Sequence, residues 1–310
     1  LEFSSEINNH NKKTGNKLTG FVFTEPQDQY TEDEGVPVLG SLDTIRDILW
    51  ENKIHEIIIA LEPAEQHSLG DILNKLAMFD VIIKVIPGMN DILLGKVQMP
   101  DIFSAPLIQV THDLMPVWQE NFKQLSDIII SILVLILTSP LILILAIGIK
   151  LSSPGPVIHR QERVGRYGKI FKICKFRSMY MDAEKNGPEL SCKDDTRLTH
   201  IGRFMRKYRL DEIPNFINVV KGEMSIVGPR PERKFFIDKI VQQAPHYVHL
   251  HKVKPGITSL GQVKFGYAEN IEQMIQRLQY DLLYIQNMSL FMDFKIMLYT
   301  VLTILSGKGV

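Results

Sequence analysis

"IIISILVLILTSPLILILAIGIKL", residues 128–151, carries no charged side chain before Lys150. A straight helix of that length runs roughly 36 Å, enough for a bilayer core of about 30 Å. Ser139-Pro140 falls in its middle. Proline has no N–H to give to the preceding turn and its ring clashes there, so it kinks or breaks a helix. A serine hydroxyl beside it can take up the carbonyl left over. A break at mid-depth would turn the chain back to the face it entered. The run is therefore a span or a re-entrant hairpin, with a buried core helix the weaker third reading, and these residues alone leave span and hairpin open.

The run also divides the chain by charge. Residues 1–118 hold 8 Lys/Arg and 18 Asp/Glu, and residues 152–235 hold 18 and 10, although the whole chain has 35 of each. A basic segment behind an apolar run asks for anionic partners, such as phosphates, an acidic membrane surface or nucleic acid. It belongs on the cytoplasmic side. Its aromatics are not interleaved with its cations, which argues against nucleic acid. Two lone cysteines, Cys174 and Cys192, make neither a disulfide framework nor a zinc site, and both read as free thiols in a reducing compartment.

Outward from the run, residues 1–16 are polar and read as disordered. Residues 17–87 alternate short apolar runs ("KLTGFVF", "GVPVLG", "HEIIIAL", "VIIKVIP") with helically spaced segments, Ser41 and Asp43 marking one helix start. That alternation argues for a parallel sheet, yet the Gly-rich phosphate turn of a dinucleotide fold is missing. Either a first strand lies upstream of Leu1, or the segment never bound a dinucleotide. Leu1 is no natural initiator, so a fragment is expected. Residues 153–310 are basic and mixed. "IFKICKF" reads as a strand, "GRFMRKYRL" as a helix, and the tail as helices whose Phe294–Leu305 end, about a dozen residues, suits a helix lying in the membrane interface or against the hairpin. "HYVHLH" would set His249 and His251 on one face of a strand, with no third ligand evident. Asp194-Asp195 reads as a solvated loop.

The chemistry centres on "RLDEIPNFINVVKGEMSIVGPRPER", residues 209–233. Pro214 is welcome only in a helix's first turn, so a helix is expected to begin at or just before Asp211. Its free N–H groups would attract phosphate. Asp211 and Glu212 would repel that phosphate unless neutralised. Lys175, Arg203, Arg206 and Arg209 could do part of this. A divalent cation, Mg²⁺ by its preference for carboxylate and phosphate oxygens, could do the rest. One carboxylate is then free to attack phosphorus. Against this stands the plain reading of a capping pair at a helix start. "VGPRP" places Arg230 on a rigid corner, and "KPGITSLGQV" (254–263) is a turn suited to close approach of phosphate or nucleotide.

"KFRSM" (175–179), "DTRLTHIGRFMRKYRLDEIPNFINVVKGEMSIVGPRPE" (195–232) and "KPGITSLGQV", in that order behind a Ser-Pro-broken apolar helix, resemble the bacterial sugar transferases, the monotopic phosphoglycosyl transferases. The resemblance covers about residues 119–310. It implies an α/β protein: an incomplete Rossmann-like, nucleotide-binding-like domain (17–118), a re-entrant membrane helix (119–152) broken at Ser139-Pro140, and a helix-rich mixed catalytic domain (153–310). Large members carry N-terminal transmembrane helices that this sequence does not include. The implied reaction moves a sugar-1-phosphate from a UDP-sugar to undecaprenyl phosphate and releases UMP, the first membrane step of exopolysaccharide, capsule or O-antigen synthesis. Asp211 would be the nucleophile, forming a sugar-phosphoryl aspartate, and Glu212 would hold Mg²⁺. Lys175, Arg206 and Arg230 match the family's basic positions, and Arg177 and Arg203 join them in the expected phosphate-binding set. The implied location is the bacterial inner membrane with the catalytic domain facing the cytoplasm, and a homodimer is left open. The sequence departs from the family at "SLG" (259–261), where many members have Gly-Leu-Trp, and at Thr196, where proline is common. A membrane-anchored scaffold for polysaccharide assembly is the competing reading, one without turnover.

Overall fold

The computed structural model describes residues 17–24, 36–61, 65, 68–77, 79, 81–93, 107–110, 114–183, 187–190, 195–266 and 268–305. It is a mixed α/β, helix-rich protein with small sheets. The chain divides between residues 112 and 113 into two units. The reading of 1–16 as disordered lies outside the described residues.

In the first unit, strand β1 (Phe21–Phe23) pairs parallel with β2 (Val38–Ser41), and a 3₁₀ turn (Leu42–Thr44) leads into helix α1 (Ile45–Glu51). β3 (Glu56–Ile59) is followed by α2 (Leu69–Leu76) and by β4 (Ile82–Val85), which lies parallel to β3. After α3 (Met89–Leu93), the short β5 (Ile108–Gln109) runs antiparallel to β4. Ile45 and Leu49 on α1, and Ile72 and Leu76 on α2, meet Ile59, Ile83 and Val85 in the core. Spacing by four residues puts each helix pair on one face. Among the described residues these strands form a two-stranded and a three-stranded sheet, not the single parallel sheet that alternation suggests. A sheet needs long-range pairing that local periodicity does not specify.

The second unit begins with two helices, α4 (Val117–Leu137) and α5 (Ser139–Ser152), bent by 62° at Thr138. Among the described residues no single helix is long and apolar enough to cross a membrane. Pro140 stands in the first turn of α5. Its missing N–H deprives the Ile136 carbonyl of its helical donor, and Ser139 Oγ donates there instead at 2.8 Å. Thr138 Oγ1 donates to Val134 O at 2.7 Å. α4 is inverted relative to an ordinary surface helix. Lys123, Asp127 and Ser131, each four residues apart, are buried, while Ile129, Ile132, Leu133 and Ile136 are exposed.

A β-hairpin follows, β6 (Ile158–Val164) with β7 (Ile170–Phe176), paired over seven residues. α6 (His200–Lys207) is capped by Thr199, whose hydroxyl accepts the Gly202 N–H at 3.0 Å. A Cβ at Gly202 would collide with the Ser178 backbone, so glycine lets α6 close onto the chain leaving β7. Asp211 and Glu212 do not start an α-helix. They occupy a 3₁₀ turn (Leu210–Glu212), and α7 (Asn215–Val220) begins only after Pro214. The proline marks the helix start correctly, but the acids lie before it.

β8 (Ser225–Val227) pairs parallel with β9 (Gly256–Thr258), and α8 (Lys234–Gln243) lies between them in sequence. His249 and His251 sit on a 3₁₀ helix (Pro245–Lys252), not a strand. The spacing of buried Tyr247, Leu250 and His251 suits a helix turn, and Pro245 could not join a ladder. α9 (Leu260–Lys264), α10 (Ile271–Gln286) and α11 (Leu290–Leu305) complete the unit. One core joins Phe171, Val227, Phe236, Ile240, Leu278 and Tyr284. A second joins Leu145 and Ile149 of α5 to Phe176, Met205 and Ile213.

Candidate active site

A cleft of about 320 Å³ lies in the second unit. β7 presents Lys175 to it, the 3₁₀ turn presents Asp211 and Glu212, and the Gly228–Pro231 corner presents Arg230. These residues are 37 and 18 positions from Glu212 along the chain yet meet on its carboxylate. Lys175 Nζ lies 2.8 Å and Arg230 Nη1 3.1 Å from Glu212 Oε1, and Arg209 Nε lies 3.7 Å from Oε2. Arg209 adopts the left-handed conformation (φ 53°), a strained state for a residue with a Cβ. That kink separates α6 from the acidic turn and lets Arg209 reach forward three residues to Glu212.

The two neighbouring acids therefore differ. Burial raises Glu212's proton affinity, but Lys175, Arg230 and Arg209 outweigh it and hold the carboxyl well below its usual range. Asp211 is as buried, at 8 % exposure, and accepts no hydrogen bond and makes no close ion pair among the described residues. Burial first, and then the charge of Glu212, push its pKa up against the pull of Lys175, Arg206 and Arg230. Lys175 is shifted down. Burial and the neighbouring Arg230 outweigh the attraction of Glu212, so the ion pair lowers the cost of burying Lys175 without cancelling it.

Arg206 lines the cleft and donates from Nε to Ser178 Oγ at 3.1 Å. Arg203 is exposed on α6 and is not part of the cleft wall. Arg177 touches the wall, but its guanidinium points to the end of α5. Nη2 donates to Ser153 O at 2.7 Å and Ile149 O at 3.4 Å, and Nη1 to Pro154 O at 3.1 Å. Ser139 and Pro140 lie at the helix break, away from the cleft wall. Asp195 is not solvated: it is 3 % exposed and gripped by Arg197 at 2.7 and 2.8 Å.

A third buried acid, Glu232, lines the cleft and was not singled out in the sequence. Glu232 pairs with Arg277 at 2.8 Å and Arg163 at 3.2 Å, and these charges hold its pKa down despite burial. Its place directly after Pro-Arg-Pro was the available signal; Arg277, 45 residues on, had none.

Among the described residues no three His, Cys, Asp or Glu side chains cluster as a metal cage. Mg²⁺ is commonly held by one or two carboxylates with substrate phosphates and water supplying the rest. The open Asp211 carboxylate beside Glu212 matches such a donor set, provided Glu212 yields part of its hold on Lys175 and Arg230.

The model of the bacterial sugar transferase family matches residues 118–307. The chain belongs to the bacterial sugar transferase family. A CoA-binding domain model matches residues 1–87. The chain is 38 % identical over 238 residues to the UDP-N-acetylgalactosamine-undecaprenyl-phosphate N-acetylgalactosaminephosphotransferase of Aeromonas hydrophila, covering 76 % of this chain and 55 % of that protein. It is 35 % identical over 310 residues to the UDP-glucose:undecaprenyl-phosphate glucose-1-phosphate transferase of Xanthomonas campestris, covering 96 % and 63 %. A protein of Caulobacter vibrioides with that same name is 38 % identical over 279 residues, 89 % of this chain and 98 % of its own length. The chain thus spans 55 and 63 % of the first two relatives' length.

Proposed function

We propose that this sugar transferase moves a sugar-1-phosphate from a UDP-sugar to undecaprenyl phosphate and releases UMP, as the first membrane step of a polysaccharide pathway. The names of the relatives support the reaction class. The observation that carries the chemistry is the contrast within the acidic pair: Asp211 is open to the cleft while Glu212 is held by three cations.

On this reading an Asp211 carboxylate oxygen attacks the phosphorus that bears the sugar. The pyrophosphate P–O bond breaks, its electron pair leaves with UMP, and a sugar-phosphoryl aspartate remains. An oxygen of undecaprenyl phosphate then attacks the same phosphorus and expels the Asp211 carboxylate. Burial helps twice, because a desolvated carboxylate with no hydrogen bonds attacks without first shedding water, and the cleft keeps water from the mixed anhydride. Lys175, Arg206 and Arg230 spread positive charge over the transferring phosphate and the departing UMP. Glu212 would hold Mg²⁺, which when bound supplies further neutralisation of phosphate charge.

The bent α4–α5 pair would enter the bilayer from the cytoplasmic face of the bacterial inner membrane and return to it. The exposed apolar residues of both helices and the buried polar stripe of α4 support that reading. α11, with Phe291, Phe294, Leu298 and Leu302 exposed, would lie at the interface. The parallel pairs β1–β2 and β3–β4 support a Rossmann-like first unit.

The test is UMP release by the full chain in detergent with Mg²⁺, undecaprenyl phosphate and a panel of UDP-sugars, with Asp211→Asn in parallel. One productive sugar and an inactive variant are expected. Variant activity equal to wild type would overturn the nucleophile, and absence of UMP with every sugar would favour the scaffold.

A further inference from the structure

The Arg177 guanidinium joins three features that the mechanism leaves separate. It stands one residue beyond β7, two positions after Lys175, and its own N–H still pairs with Val157 O at 2.9 Å, so it stays in register with the hairpin. Its terminal nitrogens take the carbonyls of Ile149, Ser153 and Pro154, where α5 ends and the chain turns out. A cation on the last carbonyls of a helix meets both their unused acceptors and the negative end of the helix dipole. The turn is shaped around it: Gly155 has φ +127°, and a Cβ there would run into Arg177 Nη1. Arg177 is 5 % exposed, so these bonds form out of water, where they are strongest and most directional.

The same end of α5 packs beneath both ends of the catalytic ion pair. Ile149 and Leu145 share a core with Phe176, which follows Lys175, and with Ile213, which follows Glu212. Apolar contacts of this kind resist separation but allow sliding; the Arg177 fork sets the register.

We propose that Arg177 is a positioning residue that locks the exit of the bent helix pair to β7, so that the seating of α5 sets where Lys175 stands against Glu212. The inference rests on the proposed transferase reading and gives Arg177 a role different from the phosphate ligand expected of its motif. On the membrane reading, it is the joint through which the bilayer-embedded hairpin holds the site in order.

The test uses the full chain with Arg177→Ala and Arg177→Lys. UDP serves as the binding probe by titration, and turnover is expressed per UDP-binding site so that misfolded protein does not count. Arg177→Ala is expected to lower turnover per site at least tenfold with UDP affinity within twofold of wild type, and Arg177→Lys, which keeps the charge but not the fork, to recover part of it. Amide hydrogen exchange is expected to quicken both in residues 149–155 and at Lys175. A tenfold loss of UDP affinity would make Arg177 a phosphate ligand and overturn the proposal. So would unchanged turnover per site, or faster exchange confined to the exit turn. Should Arg177→Ala not fold, Arg177→Lys is read alone, with a three- to tenfold turnover loss expected at unchanged UDP affinity. Failure of the transferase reading would appear separately, as a wild type that makes no UMP, and the exchange comparison would still decide the joint.

Discussion

Two buried ion networks stand three residues apart along the chain, and they are built to opposite ends. One roots α4 in the second unit. Lys123 Nζ meets Asp293 Oδ2 at 2.5 Å, lies 3.6 Å from Asp127, and donates to Val227 O at 3.2 Å. Ser225 Oγ donates to Asp127, and Tyr284 OH to Asp293 at 2.7 Å. Every charge has a partner. The other network begins at Arg230, just beyond Val227, and gathers three cations on Glu212 while leaving Asp211 with none in contact. Evolution pairs buried charges where only structure is at stake, because an unpaired one costs several kcal/mol. A buried acid left open among well-paired neighbours is therefore a marker of chemistry.

That contrast can be broken experimentally. The largest effect should come from Asp211→Asn: UMP formation falls on the order of a thousandfold or more, since a nucleophile is lost. Stability should not fall with it. A carboxyl whose folded pKa is raised destabilises the folded state as pH rises through its normal and then its folded value, so removing its charge should raise stability and melting temperature at neutral pH. Calorimetry at neutral and acidic pH checks this, the gain vanishing in acid. A lower melting point for Asp211→Asn at neutral pH would mean that Asp211 is a structural acid after all.

Lys123→Met should show the reverse pattern. It strands Asp293 and Asp127 and should cost about 3–5 kcal/mol of stability, measured by denaturant unfolding in detergent. Adding Asp293→Leu should recover part of that loss, because two apolar groups replace a buried pair. A loss under 1 kcal/mol for Lys123→Met would put the network in contact with water.

A smaller effect concerns pH. The Glu212 charge helps keep the Asp211 pKa raised, so activity should fade on the acid side at a higher pH than an ordinary aspartate would give. In Glu212→Gln any residual activity should carry that limb at lower pH, since the repelling charge is gone. A limb that stays in place, read from kcat/KM against pH, would assign it to another group. The smallest effect expected is for Ser139→Ala. It leaves the Ile136 carbonyl without its side-chain donor and should cost about 1 kcal/mol, since net hydrogen-bond contributions are of that size; thermal melting checks it.

Much of this was legible in residue order. Pro140 marked the helix break and Ser139 the hydroxyl beside it, because both act within one turn of chain. "IFKICKF" is β7, and "GRFMRKYRL" covers the last six residues of α6, for the same local reason. Asp211 and Glu212 stood out as adjacent acids in a basic neighbourhood. What went unseen was the stripe Lys123–Asp127–Ser131, which looks like an ordinary polar face until the exposed side of α4 proves apolar. Arg277 and Glu232, or Lys123 and Asp293 at 170 residues' separation, could not be matched from a list. Arg177 was assigned to phosphate because its motif is basic, and only its partners show a helix end.

Residue order alone carried the broken apolar helix pair, strand β7, much of the local helices, the acidic pair and the family to which they belong, since periodicity, proline geometry and motif order are properties of neighbouring residues. Which acid is open and which is clamped, and which arginines face the cleft and which turn to a helix end, became visible only in the folded chain. Charge compensation is a short-range interaction in space, and the residues that compensate one another are far apart in the chain.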